Sequence, residues 1–163
     1  MSSKLKRILL RPIPHLFSDA AGNFIARLWS KRLREELGGT ATDKFLDLVL
    51  AGFDLAFSLS KDFRKNIRDF QGRYLFRSAD NRVASAATFK DGDMQVDPEG
   101  AIDDWNVRVT FKDWTALRDF LFSGDPDILD LLLENKVEVD GNPNYIFKFG
   151  FMAKDLGRRL GVG

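Results

Sequence analysis

The sequence predicts an α+β domain in which helices lie on one face of a mainly antiparallel sheet of about five strands. Apolar residues recur every three or four positions in the segments 18–37, 42–59 and 143–160, which is the spacing of amphipathic helices. Between residues 72 and 111 they alternate with polar residues, which is the period of a half-buried strand. The predicted order is two helices, three or four strands, two helices, one strand and a last helix. This order is typical of helices packed on one face of a sheet.

Composition limits the domain count and excludes several kinds of chemistry. The 163 residues amount to one domain. There is no cysteine and a single histidine, His15, so disulfides, thiolate sites and histidine-based catalysis are not expected. Lys and Arg number 25 against 24 Asp and Glu, and the net charge of +1 argues against a general nucleic-acid binder. We therefore expect no metal, no cofactor and no nucleic-acid partner.

The N-terminal region carries a local excess of positive charge. Residues 1–37 contain eight Lys and Arg side chains and three Asp and Glu side chains, a net charge of +5. We therefore divide the chain into a basic N-terminal extension with an amphipathic helix, 1–41, and a main domain, 42–163. Such a segment suits an anionic membrane surface. The candidate docking residues are Lys4, Lys6, Arg7 and Arg11. The alternative is a disordered tail followed by a solvated amphipathic helix.

Apolar runs are too short to predict export or a membrane span. The run Ile8-Leu9-Leu10 is interrupted by Arg11-Pro12, whereas a signal peptide needs an apolar stretch of about 7–15 residues. No window approaches the roughly 18 apolar residues of a spanning helix. We expect a cytoplasmic protein, with peripheral membrane association as the accompanying hypothesis.

Two helices are predicted before the strands. Ser18 or Asp19 caps the first helix, which ends at Gly38-Gly39. Thr42 caps the second, whose apolar residues recur every four positions and form a wide aromatic stripe. The stripe consists of Phe45, Val49, Phe53 and Phe57.

The strand region contains a hairpin and one clearly alternating strand. Tyr74 and Phe76 belong to the first strand, and a second run, 82–90, ends at Asp91-Gly92, a dipeptide typical of two-residue hairpin turns. The segment 105–112 then alternates apolar and polar residues, so one of its faces is expected to be buried. The apolar positions of this segment are Trp105, Val107, Val109 and Phe111.

The C-terminal third predicts three helices and one strand. Asp113 begins a helix that contains Phe120 and Leu121, and Gly124 ends it. Asp125-Pro126-Asp127 then provides the N-cap and first positions of a second helix. A short strand with Val137 and Val139 ends at Asp140-Gly141, and a last helix begins near Pro143. One seam of that helix consists of Tyr145, Phe149, Met152, Leu156 and Leu160.

The order of these segments resembles the sterol carrier protein 2 (SCP-2) family. The resemblance covers about residues 42–156, and it rests on segment order and spacing. Its segments are Tyr74-Leu75-Phe76-Arg77, Phe89-Lys90-Asp91-Gly92, the strand 105–111 with the following 114–117, Gly124-Asp125-Pro126 and Lys136-Val137-Glu138-Val139-Asp140-Gly141. It implies a five-stranded sheet covered by helices around a lipid-binding tunnel.

Three features bear on the details of the resemblance. Glu134-Asn135 replaces the glycine that usually precedes the lysine of the last strand. The chain ends in Gly161-Val162-Gly163 and not in a peroxisomal Ser-Lys-Leu signal. With its basic N-terminal extension, the chain looks most like the stand-alone bacterial members that are accessory factors in ubiquinone biosynthesis.

The aromatic content agrees with a lipid-binding interior. The sequence has 15 Phe, 3 Trp and 2 Tyr, which is more ring surface than a plain core needs. For each residue taken singly, ordinary core packing is the simpler explanation, and the collective pattern favours a lipid-binding interior. The candidate lipid-binding residues are Phe45, Val49, Phe53, Phe57, Val107, Val109, Phe111, Phe120, Leu121, Tyr145, Phe149 and Met152.

The function that follows is non-catalytic binding and carriage or presentation of a lipid. Fatty acyl chains, phospholipids, sterol-like ligands and prenylquinone precursors all remain open, and enzymes of lipid or quinone biosynthesis are the expected partners. One alternative is a protein-interaction scaffold that uses the aromatic surfaces. Another is a small lipid-modifying enzyme, for which a carboxylate such as Asp54 or Asp130 would have to lie at the cavity. No catalytic residue is predicted.

Overall fold

The computed structural model describes residues 27–29, 31, 32, 35, 42–122 and 128–160. Residues 27–29, 31, 32 and 35 are helical, within the first predicted helix. The predicted caps of that helix lie outside the described residues, as do Gly124 and Asp125-Pro126-Asp127.

The first complete helix carries the aromatic stripe. Helix α1 spans Thr42–Leu59, as the apolar spacing predicts, and Thr42, the predicted cap, is its first helical residue. The stripe residues Phe45, Val49, Phe53 and Phe57 are each exposed by 4% or less. Ser60 follows and caps a short helix α2, Lys61–Arg64, by accepting a hydrogen bond from the Phe63 amide at 3.1 Å. The sequence analysis did not predict α2.

A single five-stranded sheet forms the centre of the domain. Its strands are β1 (Gly72–Ser78), β2 (Ala84–Lys90), β3 (Asp93–Asp97), β4 (Val107–Phe111) and β5 (Val137–Gly141). They lie in the order β3-β2-β1-β4-β5. Neighbouring strands run antiparallel except β1 and β4, which are parallel. The predicted five-stranded, mainly antiparallel sheet is confirmed.

The turn between β2 and β3 has the predicted hairpin geometry. Asp91 and Gly92 have φ values of 54° and 75°, so both lie in the left-handed region that two-residue hairpin turns require. The turn also sets the register, because Lys90 pairs with Asp93 and Phe89 with Met94.

The register between β1 and β4 places the aromatic side chains of β1 and the apolar side chains of β4 on one face. Tyr74 pairs with Val107 and Phe76 with Val109, and paired residues point to the same side of a sheet. Along β4, buried residues alternate with half-buried Arg108 and Thr110. The alternation in the sequence therefore identifies the buried face of the sheet.

Three helices complete the fold. They are α3 (Trp114–Phe122), α4 (Ile128–Leu133) and α5 (Pro143–Leu160). The Asp113 carboxylate caps α3 by accepting a hydrogen bond from the Ala116 amide at 2.9 Å. After α4, Asn135 has a φ of 54°, so this asparagine takes the left-handed position for which a glycine is usual.

Helix α5 packs closely on its neighbours. Its residues Ile146, Phe149 and Met152 are fully buried. A Cβ at Gly150 would lie 2.7 Å from Cδ1 of Ile128, so the missing side chain lets α4 approach α5. Within the predicted seam, Phe149, Met152 and Leu156 are buried and Tyr145 is half-buried, while the Leu160 side chain lies outside the described part of the chain.

Two glycines with positive φ, Gly141 in β5 and Gly92 in the hairpin turn, differ in how closely other atoms surround them. Gly141 has a φ of 94°, and a Cβ there would collide with the carbonyl oxygen of Asn106. Gly92 has a φ of 75°, but its nearest neighbour is 3.8 Å from such a Cβ. Both substitutions to alanine cost about 1 kcal/mol for the left-handed backbone, and only Gly141→Ala adds a collision with backbone.

We expect Gly141→Ala to lower the free energy of unfolding by at least about 2 kcal/mol and Gly92→Ala by about 1 kcal/mol. Urea denaturation of the two variants beside the parent protein measures both values. Equal losses would show that the backbone of β5 moves away from Asn106 without cost.

Candidate functional site

The candidate lipid-binding residues converge on the space between the sheet and the helices. Eleven of the twelve are exposed by 4% or less, and Tyr145 is half-buried. They come from α1, β4, α3 and α5, so residues far apart in sequence meet in one apolar cluster. We name it the ring cluster. Its members are the twelve predicted residues together with Phe63, Tyr74, Phe76 and Phe89.

Phe149 of α5 lies at the centre of the ring cluster. Its ring centroid is 4.8 Å from that of Phe76 and 5.4 Å from that of Tyr74, both on β1. It is 5.1 Å from Phe53 of α1 and 6.3 Å from Phe120 of α3. Aromatic rings at these separations are in van der Waals contact. One side chain therefore connects two helices and the sheet to the last helix.

A second group of rings fills the end of the cluster near α2. The rings of Phe57 and Phe63 are stacked with centroids 4.7 Å apart, and Phe53 lies 6.1 Å from each of them. Phe89 of β2 meets Phe57 edge-on at 6.1 Å. The sequence analysis missed the fully buried Phe63, although Ser60 as a cap is a helix signal.

The cluster has a half-buried end, which we name the Phe70 rim, formed by Phe70, Tyr145 and Lys148. The rings of Phe70 and Tyr145 lie 5.8 Å apart, and the Lys148 ammonium is 5.5 Å from the Phe70 ring centroid. A Cβ at Gly72 would lie 2.7 Å from the Tyr145 ring and 2.9 Å from the Phe70 ring. The rim therefore depends on a residue without a side chain at the start of β1.

Tyr74 brings a hydrogen-bonded hydroxyl into this apolar region. The side chain is fully buried, and its hydroxyl donates to the carbonyl oxygen of Tyr145 at 2.8 Å. Burial, with a smaller contribution from nearby Tyr145, raises the pKa of the Tyr74 phenol well above its ordinary value of 10.0. Tyr74 is therefore neutral at physiological pH and ties β1 to the first turn of α5.

The carboxylates considered for an enzyme lie in different surroundings. Asp54 is half-buried on α1, and Asp130 is exposed on α4. Asp155 is 6% exposed and accepts hydrogen bonds from Arg158 at 2.6 Å and Arg159 at 2.9 Å. Burial by itself raises the pKa of Asp155, but these arginines outweigh it and hold the pKa below its ordinary value. Asp155 is therefore an ion-paired anchor of α5.

The part of the chain that the structure describes has neither a metal-binding group of side chains nor a membrane-spanning helix. No three or more His, Asp or Glu side chains are grouped there in a way that would hold a metal ion. No described helix combines the length and the apolar character needed to cross a bilayer.

The predicted docking residues Lys4, Lys6, Arg7 and Arg11 lie outside the described residues, as does His15. Within the described part of the extension, Trp29 lies against α1. The indole of Trp29 covers Gly52 of α1, where a Cβ would overlap the ring. The N-terminal helix therefore contacts the main domain on α1.

Comparisons with known proteins identify the fold. No protein-family model and no curated protein matches the sequence. Among solved structures, the UbiJ-SCP2 ubiquinone synthesis protein is 18% identical with a TM-score of 0.51, over 69% of this chain and 98% of that one.

Two eukaryotic sterol carrier proteins match to a similar extent. Sterol carrier protein domain 2 of Helicoverpa armigera is 17% identical with a TM-score of 0.52, over 72% of this chain and 91% of that one. Sterol carrier protein 2 of Yarrowia lipolytica, in its apo form, is 14% identical with a TM-score of 0.54, over 72% of this chain and 93% of that one. The chain therefore has the SCP-2 fold, which confirms the fold that the resemblance implied.

The buried phenol of Tyr74 has a measurable consequence at alkaline pH. The chain has two tyrosines, so Tyr145→Phe leaves Tyr74 as the sole phenol. We expect no phenolate absorbance from the folded variant up to about pH 11, because burial disfavours the charged form.

The Tyr74 phenol of the unfolded chain ionises near pH 10, so the free energy of unfolding of this variant falls as pH rises above this value. The control Tyr74→Phe should lose less stability over the same range. Phenolate absorbance in folded protein at about pH 10 would contradict the burial of this hydroxyl.

Proposed function

We propose that this protein binds one lipid tail in the ring cluster and carries or presents the lipid without changing its bonds. The observation that supports this most is the ring cluster itself. Helices α1, α3 and α5 and one sheet face present large apolar side chains to a common interior, with a half-buried rim at one end. Such a region suits an aliphatic chain.

The chemistry of the cluster favours an apolar tail. The buried hydroxyl of Tyr74 is already occupied by the Tyr145 carbonyl, so it does not need a hydrogen bond from a ligand. Removing a methylene group from water stabilises a complex by about 0.8 kcal/mol, so a tail of about sixteen methylenes provides roughly 12 kcal/mol before the costs of binding. Acyl or prenyl tails therefore supply affinity without a catalytic group.

Binding in this region requires the rings to separate. Phe149 is in contact with Phe53 and Phe76, so a tail that lies between α5 and the sheet displaces at least one of these contacts. We place the entrance at the Phe70 rim, where Phe70 and Tyr145 are half-buried. Lys148 at this rim would meet the polar or anionic headgroup, because its ammonium already lies near the ring surface.

The matched structures with this fold support a lipid ligand. Two of the matched structures are described as sterol carrier proteins, and one as a ubiquinone synthesis protein. A lipid ligand for this chain is consistent with all three descriptions. We propose a prenylquinone precursor or a phospholipid as the physiological ligand, with an enzyme of lipid or quinone synthesis as its recipient.

The two alternative functions meet specific obstacles. A scaffold that uses the predicted aromatic stripe would need Phe45, Phe53 and Phe57 at the surface, but each is exposed by 4% or less. A lipid-modifying enzyme would need a carboxylate in the ring cluster, but Asp130 is exposed and Asp54 is half-buried. Carriage requires neither.

Photo-cross-linking tests the proposed site directly. We expect a palmitate analogue with a diazirine near the end of its tail to label peptides containing Phe53, Phe149 or Met152, because the tail lies among these side chains. Excess unlabelled palmitate should abolish this labelling. Mass spectrometry of digested protein locates the adducts. Labels confined to the opposite sheet face, which carries Leu75, would contradict the proposal.

A matched pair of variants tests the same site by affinity. Val109→Phe adds a ring within the cluster, and Leu75→Phe adds one to a residue of similar burial on the opposite face. Overpacking costs both variants about 1–3 kcal/mol of stability. Titration of the folded variants with a fluorescent fatty acid should show at least a tenfold loss of affinity for Val109→Phe and no such loss for Leu75→Phe. A tenfold loss corresponds to about 1.4 kcal/mol of binding free energy. Equal affinities would contradict the site.

We also propose that the basic N-terminal extension contributes to membrane docking. A basic side chain near an anionic surface stabilises binding by about 1 kcal/mol. Full-length protein in which Lys4, Lys6, Arg7 and Arg11 are changed to glutamine should therefore float less with vesicles that contain phosphatidylglycerol. A matched variant with four glutamines at Lys61, Lys65, Lys90 and Lys112, which are exposed, controls for net charge. Equal losses in the two variants would show that net charge matters and the extension does not.

A further inference from the structure

We infer that the outer face of α5 is a docking surface for an anionic phospholipid bilayer. The buried side of this helix packs on the sheet through Phe149 and Met152. The opposite side exposes 41% of Phe147 and 59% of Phe151. We define the α5 outer face as Phe147, Phe151, Lys154 and Arg158. This surface is made of α5 residues and goes beyond carriage of a lipid.

The two phenylalanines are exceptional within this molecule. Among phenylalanines whose exposure the structure describes, Phe147 and Phe151 are the two that are exposed. They are four residues apart on a helix, so their rings lie one turn apart on the same side. Contiguous exposed apolar groups mark interaction sites more often than single ones do. The pair therefore leaves apolar surface open to solvent.

Positive charge on α5 shares the outer face with the exposed rings. Helix α5 carries Lys148, Lys154, Arg158 and Arg159 against one carboxylate, Asp155, which leaves a net charge of +3. The Asp155 side chain is only 7% exposed and is held by both arginines, so its negative charge is largely covered. The Arg158 side chain is 79% exposed, and Lys154 is exposed one turn before it. The face that exposes the rings is therefore cationic.

Helix α4 extends the apolar part of this surface. Gly150, between the two exposed phenylalanines in sequence, lets Ile128 of α4 lie against α5. On α4, Leu129 is 50% exposed and Leu133 is 80% exposed. The two helices together offer apolar side chains from adjoining elements.

The combination of rings and cations selects an anionic bilayer as the partner. Aromatic and aliphatic side chains enter the interface between headgroups and acyl chains, while Lys and Arg attract anionic lipids. A symmetric dimer through the same face would bring two copies of the +3 helix together, and like charges across an interface are unfavourable. Charge complementarity therefore favours anionic lipid over a second copy of this chain.

Docking through this face also orients the proposed ligand site. Lys148 belongs to the Phe70 rim and lies on α5 between Phe147 and Phe151 in sequence. A bilayer bound to the outer face is therefore close to the rim. This point rests on the proposed lipid site, whereas the docking itself does not.

Vesicle binding by the full-length chain tests the docking surface. The protein should bind phosphatidylcholine vesicles that contain phosphatidylglycerol and bind pure phosphatidylcholine vesicles much more weakly. Phe147→Gln with Phe151→Gln should reduce the partition coefficient at least about tenfold, because two exposed rings no longer enter the bilayer. Phe147→Leu with Phe151→Leu keeps apolar groups there and should retain most of the binding. Both pairs replace exposed side chains, and thermal unfolding checks that the variants are folded.

A charge variant and its matched control test the electrostatic part. Lys154→Gln should lower the partition coefficient about fivefold, the effect expected of one basic residue near an anionic surface. Lys112→Gln, at an exposed residue at the end of β4, should leave it unchanged. Raising the salt concentration should reduce the difference between these two variants.

Two results would overturn the inference. One is undiminished vesicle binding by the Phe147→Gln, Phe151→Gln variant. The other is a parent protein that does not bind vesicles but self-associates or captures an acidic protein, when the Phe147→Gln, Phe151→Gln variant does neither. Photo-cross-linking of the palmitate analogue in the absence of vesicles reports on the ring cluster alone. Failure of that labelling with intact docking would therefore reject the lipid site and leave the α5 surface standing.

Discussion

The contact of the Phe149 ring with the sheet and with α1 is the interaction on which the rest of the structure depends. This ring touches Phe53, Tyr74, Phe76 and Phe120, which belong to three different elements. Burying an aromatic side chain stabilises a fold by about 1.5–3 kcal/mol, and favourable ring pairs add to this. The contact fixes how α5 lies over the sheet. It thereby sets the position of the Phe70 rim at one end of the cluster and the direction of the α5 outer face.

The same contact creates a tension between stability and ligand binding. A lipid tail in the cluster exchanges contacts between rings for contacts between rings and methylenes. The exchange changes the dispersion energy little, because both kinds of contact are apolar and of similar strength. The driving force for binding is then the removal of the tail from water. The rings that hold the domain together can therefore also be the rings that hold the lipid.

The polar contacts of α5 limit where the layers can separate. The hydrogen bond from Tyr74 to the Tyr145 carbonyl secures the first turn of the helix, and Asp155 secures the last part through Arg158 and Arg159. Breaking either contact would leave a buried polar or charged group unpaired, which costs more than the bond itself contributes. The middle of the helix, around Phe149, is held by apolar contacts. A tail that enters at the proposed Phe70 rim therefore separates rings around Phe149 while both polar contacts of α5 stay intact.

The sequence by itself determined the elements with strong local signals, and it determined which side chains are apolar enough to form the interior. The four-residue spacing in α1, the Asp91-Gly92 turn and the alternation in β4 depend on neighbouring residues alone, so each could be predicted. The burial of the candidate residues could be predicted to a similar degree, since the apolar side of a helix or strand usually faces the core. That these residues bind a lipid stays a prediction. Phe63 was missed because α2 has four residues, too few to show a period.

Only the tertiary structure decided which apolar faces meet and which remain at the surface. The parallel pairing of β1 with β4 joins segments about thirty residues apart, and no local pattern encodes such a register. Phe147 and Phe149 are neighbours of the same type in sequence, yet one is exposed and the other fully buried. Helix periodicity turns them to different sides, but the positions of the sheet and α4 decide which side is covered. Burial is a property of the assembled layers, and a single element cannot specify it.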